Sequence, residues 1–250
     1  MSGGGDSTLR FWDVATGKQV RTLEVDGKQQ VLSMRLSADG NHLLCTTTGF
    51  DDPRDSRRLT VWDVPSGKRL VSRSLGRGEL TFSGFSPDGK LLAQSAQKEV
   101  VIVDAFSSKE LARLRVDDQL EEPYVFSPDG RVLAARSSHL TPEGNRMRVD
   151  EYAIRLFDLS TGHEIQRLKT TGAGRPVAFA PDGKTLGSAG DDGVYLWDVA
   201  SGREMLHRRG FDGSALSLAF SSDGRSLASG LSDSTILIWD VSRPAPRPDR

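Results

Sequence analysis

One turn signal recurs five times along this chain: SADG at 37–40, SPDG at 86–89 and 127–130, APDG at 180–183 and SSDG at 221–224. Proline presets the first turn dihedral, aspartate hydrogen-bonds its own backbone and glycine accepts a positive φ, so each copy marks a tight reversal between strands. The closing glycines lie 49, 41, 53 and 41 residues apart. That period is the one expected of a repeated four-stranded unit. Two of the intervals carry insertions.

The flanking residues alternate as half-buried strands do. Ahead of the turn, apolar residues fall at every second position, as with Leu32, Met34 and Leu36 or Leu216, Leu218 and Phe220. Behind it, Leu43, Leu92, Leu133, Leu186 and Leu227 each sit three residues past the glycine. A third run (RLTVWD, EVVIVD, AIRLFD, VYLWD, TILIWD) is apolar on both faces, which predicts a central strand. A second turn (DVATGK, DVPSGK, DAFSSK, DLSTGH, DVASGR) leads into a fourth strand such as KQVRTLEV or HEIQRLKT. Units of this kind cannot bury both faces alone and must stack on copies of themselves. The fold class is all-β, a β-propeller of four-stranded antiparallel blades.

The endings FWD at 11–13, VWD at 61–63, LWD at 196–198 and IWD at 238–240 resemble those of the WD-repeat family, from Ser2 to about Val241. A related propeller repeat shares the SPDG turn but lacks the Trp-Asp ending. The repeat style is similar to bacterial members of the family. Six units are expected, at about 1–27, 28–76, 77–117, 118–170, 171–210 and 211–241, followed by a Pro/Arg-rich linker at 242–250. The resemblance implies a hydrogen-bonded structural set in each blade. Ser2, Asp6 and Trp12 match it, as do Trp62, Ser188 with Asp191 or Asp192 and Trp197, and Ser229, Asp233 and Trp239. Phe211 occupies the histidine position of the last blade, and Val103 and Phe157 stand where tryptophan would. His42, His139, His163 and His207 fall outside the set and read as surface or strand residues.

The first unit begins in mid-blade, at the end of its second strand, and the last lacks a fourth strand. The strand count therefore predicts an open arc, or a piece of a six- or seven-bladed ring, whose exposed edges pair with another segment or subunit. In a rival arrangement KQVRTLEV completes the last blade and closes five.

Composition narrows the function. A net charge of -1 carries no footprint for nucleic acid or an anionic membrane. One cysteine, Cys45, excludes an internal disulfide framework and reads as a small buried strand residue. No apolar run is long enough to span a bilayer and no signal-like start is present, so a cytoplasmic setting is expected. None of the phosphate-loop, zinc-protease, serine-hydrolase or kinase motifs occurs, and SGGGDST reads as a hairpin because no lysine or helix follows it. Asp51, Asp52 and Asp55 alternate with Arg54, Arg57 and Arg58, which favours a solvated loop over a metal site. No catalytic residue, cofactor or metal is assigned.

The inserts at about 46–58 and 137–151 both fall between the second and third strands of their blades. In the family that hairpin opens on the top face, and per-repeat insertions often mark a binding surface. Arg54, Arg57, Arg58, Arg146 and Arg148 are the candidate partner-binding residues, suited to a carboxylate-rich or phosphorylated protein. The rim positions Gln30, Glu79, Leu120, Ala173 and Ser214 form no aromatic cluster. The expected function is a non-catalytic protein-interaction scaffold of unidentified partner. The alternatives are a regulatory module of a larger signalling enzyme such as a kinase or ATPase, or a ligand-binding or enzymatic propeller.

Overall fold

The computed structural model describes residues 1–25, 27–37, 39–49, 57–74, 82–96, 99–143, 146–170, 176–190, 192–210 and 214–242. They form strands and turns, and no helix occurs among them. The chain divides into two compact units, Met1–Gln94 with Val103–Glu110 and Ser95–Ile102 with Leu111–Arg250.

The first unit opens with a three-stranded sheet of β1 (Ser2–Gly3), β2 (Thr8–Trp12) and β3 (Gln19–Glu24), then a four-stranded sheet of β4 (Gln29–Leu36), β5 (His42–Gly49), β6 (Arg58–Asp63) and β7 (Lys68–Ser74). Leu23 of β3 lies opposite Leu9 of β2, so KQVRTLEV belongs to the first sheet and the rival arrangement is not adopted. A further four-stranded sheet comprises β8 (Phe82–Phe85), β9 (Leu91–Ala96), β10 (Glu99–Asp104) and β11 (Glu110–Arg115).

In the second unit, β12 (Gln119–Phe126), β13 (Val132–Glu143), β14 (Arg146–Asp158) and β15 (Glu164–Thr170) make one antiparallel sheet. The next contains β16 (Val177–Phe179), β17 (Thr185–Ala189), β18 (Gly193–Asp198) and β19 (Glu204–Arg209). The last has three strands, β20 (Ala215–Phe220), β21 (Ser226–Leu231) and β22 (Ile236–Asp240).

Apolar faces join successive sheets. Leu9, Phe11 and Leu23 meet Leu43, Cys45 and Trp62 of the following sheet. Ile154, Leu156 and Leu168 meet Leu186, Tyr195 and Trp197, and Val194, Leu196 and Leu206 meet Leu227, Leu237 and Trp239. The leucine three residues past each turn glycine is fully buried in all five copies.

Two strand expectations need correction. Leu32 and Leu216 were expected to alternate inward but are 48% and 66% exposed. Each is the extra residue of a β-bulge, between Val31 and Ser33 and between Ala215 and Ser217, which turns it outward. TILIWD was expected to be central, yet β22 is an edge strand of its sheet, with Ile236 70% and Ile238 68% exposed.

The turns show why these tetrapeptides work. Ser37, Ser86, Ser127 and Ser221 donate Oγ to the turn aspartate at 2.5–2.7 Å and accept the backbone N–H five residues on. Ala180 has no hydroxyl, and there Asp182 instead accepts the N–H and Oγ1 of Thr185. In the second turn Asp13, Asp104 and Asp198 accept the N–H and hydroxyl three residues on. Gly17 and Gly202 then take φ of 66° and 68°. DAFSSK was read as supplying the same reversal, but it has no glycine, and Ser108 itself sits at φ 63°.

An L-residue in the left-handed region costs roughly 1–2 kcal/mol, offset in part by the backbone entropy that glycine loses. Ser108→Gly is therefore expected to raise the unfolding free energy by about 0.5–1 kcal/mol, read as a higher urea midpoint; an unchanged or lower midpoint contradicts this.

The turn aspartates also set acid sensitivity. Hydrogen bonds from the Ser37 hydroxyl and the Asn41 N–H outweigh desolvation and lower the Asp39 carboxyl from 3.8 to about 2. Asp13, Asp63, Asp129, Asp158, Asp198 and Asp223 are lowered in the same way. A carboxyl depressed by folding stabilises above its unfolded pKa and loses that contribution as pH falls through its folded pKa. The melting temperature should hold as pH falls to about 4 and drop between about 4 and 2; a drop centred near pH 6 would point to other groups.

Candidate functional site

The sequence-derived structural residues form local pairs. Trp12 Nε1 donates to Ser2 Oγ, Trp197 Nε1 to Ser188 Oγ and Trp239 Nε1 to Ser229 Oγ, each at 2.9 Å. Asp6 accepts the N–H and Oγ1 of Thr8 and pairs with Arg10, and Asp233 accepts the same two groups of Thr235. Asp191 and Phe211 lie outside the described residues. Asp192 accepts the Tyr195 hydroxyl at 2.8 Å and faces His207 Nε2 at 3.3 Å. The His207 ring stacks on Tyr195 at 4.0 Å, so this histidine is part of a polar cluster that reading it as a plain strand residue missed.

Trp62 is the exception. It is 6% exposed and its Nε1 is buried without a hydrogen-bond partner among the described residues. Trp62 pairs with Leu43 as Trp197 pairs with Leu186, which puts Cys45 at the register position of Ser188. Burial pushes the Cys45 thiol up to about 12, leaving it an inert neutral group. In β13 and β14 both members of the pair are absent together: Phe157 has no donor and Ala135, at the serine position, has no acceptor.

The second insert is a β-ribbon where a projecting loop was expected. β13 and β14 pair from Val132↔Asp158 out to Glu143↔Arg146, with a register shift between His139 and Leu140. The flanking strands stop earlier, β12 at Gln119↔Ser138 and β15 at Tyr152↔Thr170, so the two strands continue beyond them as a pair. Near its outer end Thr141 donates to Asp150, and Arg148 is ion-paired with Asp150 at 3.1 Å while its side chain stays 63% exposed.

Buried charge roots this ribbon. Asp118, in the link between β11 and β12, has a side chain 4% exposed. Its carboxylate meets His139 Nδ1 of β13 at 2.8 Å, Arg155 of β14, and Arg167 of β15 at 3.2 Å. Arg155 also donates to Ser137 Oγ at 3.1 Å and to Glu164 at 2.5 Å. Desolvation works to raise the Asp118 carboxyl, but the hydrogen bonds from His139 and Arg155 outweigh it and hold the group below its usual range. A polar cavity of about 680 Å³ opens beside these residues. On the opposite face Arg136 pairs with Glu121, and its guanidinium lies 5.4 Å from the Tyr152 ring centre. Sequence reasoning missed this cluster. Its one signal was charge within apolar strands, Arg136 in VLAARSS and Arg155 in AIRLFD.

The insert arginines differ in what they face. Arg57 is exposed, and Arg58 donates to Ser72 Oγ at 3.0 Å. Asp51, Asp52, Arg54 and Asp55 lie outside the described residues, as does the Arg146 side chain. The two inserts belong to different compact units. Among the described residues no group of His, Cys, Asp and Glu is arranged to hold a metal ion.

A chain of antiparallel four-stranded units closed by Trp-Asp strands defines a protein of the repeat-built β-propeller class. Residues 177–198 and 205–240 match the family "WD domain, G-beta repeat", so this part of the chain carries WD repeats. It is similar to a guanine nucleotide-binding protein subunit beta of Zea mays, 27% identical over 233 residues that cover 86% of this chain and 57% of that protein. It is also similar to the serine-threonine kinase receptor-associated protein of Gallus gallus, 25% identical over 95% of this chain and 62% of that protein. A guanine nucleotide-binding protein subunit beta of Arabidopsis thaliana is 31% identical over 95% of this chain and 65% of that protein. The chain thus spans about three-fifths of the length of these relatives.

Cys45→Ser gives Trp62 Nε1 the acceptor that three other tryptophans have. The variant should gain about 1 kcal/mol in unfolding free energy, and the indole N–H resonance of Trp62 should shift downfield. A loss of stability would show that the site cannot accept the hydroxyl.

Proposed function

We propose that this chain is a non-catalytic scaffold that binds a protein partner, with the ribbon at 137–151 as its principal contact and the insert at 46–58 as a second one. The observation that carries this reading is the rooting of the ribbon. Two arginine–carboxylate pairs, Arg155–Asp118 and Arg136–Glu121, hold its base from opposite faces of the sheet. An arm fixed in this way loses little conformational freedom on binding. A tolerated surface insertion needs no such base, because long loops cost little extra entropy as they grow.

Arg148 is spoken for by Asp150 and Glu143, so the described residues of the ribbon offer an exposed mixture of charge. A partner would have to match that pattern, its carboxylates meeting Arg146 and competing with Asp150 and Glu143 for Arg148. Two of the relatives, a guanine nucleotide-binding protein subunit and a receptor-associated protein, support assembly with other proteins as the general role.

The test is affinity capture with the intact chain, with residues 140–149 replaced by a two-residue Asn-Gly turn, and with the first insert shortened to the 41-residue period. Capture of a specific protein should fall at least about tenfold when the ribbon is replaced, an effect of the size that loss of central contacts produces. Equal recovery by all three forms would remove both inserts from the function.

A further inference from the structure

At two junctions between successive sheets, a long polar side chain from the fourth strand reaches across to the next sheet. Arg21 of β3 donates to the carbonyls of Val64 and Pro65, the two residues after Asp63. Gln166 of β15 donates at 2.7 Å to the carbonyl of Ala200, two residues after Asp198. These side chains hold the same register, since Arg21 pairs with Phe11 and Gln166 with Leu156, each just ahead of its unit's closing aromatic residue, Trp12 or Phe157. In β19 that register position, opposite Leu196, is Leu206.

Leucine cannot make the bridge. At this junction the structure has a cavity of about 350 Å³ instead, with Leu196, Met205, Leu206 and Phe220 as apolar walls. Val241 and Ser242, the positions whose carbonyls would accept the bridge, also line it. Asp182 and Asp223 stand at its polar side, with Arg225 as the one cation among the described lining residues. Asp223 Oδ1 accepts the Ser221 hydroxyl at 2.6 Å and the Arg225 N–H at 3.0 Å, while its Oδ2 has no hydrogen-bond partner among the described residues.

We propose that this groove binds an arginine side chain presented by a partner protein. The aliphatic stem lies over Leu206 and Met205, and the guanidinium donates to Asp223 Oδ2 and to the carbonyl register that Arg21 uses at its own junction. The chain itself supplies the precedent for the occupant, because where it has Arg21 or Gln166 the junction is bridged from within. The two carboxylates supply the charge complement, and a planar multi-donor head suits a carboxylate together with carbonyl acceptors. The site lies at the x-x-D-G end of its sheets, the end away from the ribbon, and does not depend on the ribbon's role.

The test uses the full chain carrying ¹³C-labelled methionine methyls, among them that of Met205, which lines the groove. A blocked Ala-Ala-Arg-Ala-Ala peptide is titrated beside its citrulline and alanine counterparts. The Met205 methyl should shift saturably with the arginine peptide and bind the citrulline peptide about tenfold or more weakly, the size of one charge-assisted hydrogen bond. Leu206→Gln, which supplies the internal bridge, and Asp223→Asn, which keeps the turn acceptor, should each weaken binding by a similar factor. Equal responses to all three peptides, no response at Met205, or undiminished binding by Leu206→Gln would overturn the proposal. So would binding seen only when Arg243, Arg247 and Arg250 are changed to alanine, an outcome that assigns the groove to the chain's own last residues.

Discussion

Inner strands such as β10 and β18 are apolar on both faces, and neither face is satisfied until another sheet covers it. At about 25 cal/mol per Å² of apolar surface removed from water, that coverage outweighs any single hydrogen bond in the molecule. The register makes the pairing repeatable. Leu186 and Trp197 lie on one face of their sheet and receive Ile154 and Leu156, while Val194 and Leu196 lie on the other and meet Leu227 and Trp239. Ile236 and Ile238 hold the register of Val194 and Leu196 in the last sheet, and they are the exposed pair. The same sequence pattern is buried or exposed according to whether a further sheet lies over it.

Polar groups then distinguish units that packing makes alike. The tryptophan–serine bond is present where both residues are, absent where Phe157 and Ala135 stand, and broken at Trp62, where a cysteine occupies the serine position. Among the described residues, charges are buried in number only at the ribbon base. Removing one partner from such a pair is strongly destabilising, while the intact pair contributes little net stability, so its value lies in specifying one arrangement. Asp118 does this by holding β13, β14 and β15 through one carboxylate.

Much of this architecture was legible in the sequence because it rests on local rules. The x-x-D-G turns, the leucine three residues later and the Trp-Asp endings depend on backbone dihedrals and alternation, which a linear reading captures. What escaped depends on contacts between distant residues. Asp118 and Arg155 are 37 positions apart, and neither residue type announces burial. The bulges at Leu32 and Leu216 shift alternation without any glycine in those strands to mark them, and the positive φ of Ser108 shows only when DAFSSK is set against the glycines at the same position of the other second turns. The groove at Leu206 shows only when the register of three fourth strands is compared.

Native-state hydrogen exchange, residue by residue, tests most directly the claim that coverage by a neighbouring sheet governs stability. β18 (GVYLWD) and β22 (ILIWD) share a pattern, but β18 lies within a four-stranded sheet packed on both sides and β22 is an edge strand with Ile236 and Ile238 exposed. The amides of β18 should exchange only through the largest openings of the structure, and those of β22 at rates faster by at least about a hundredfold. Equal protection of the two strands would contradict the account.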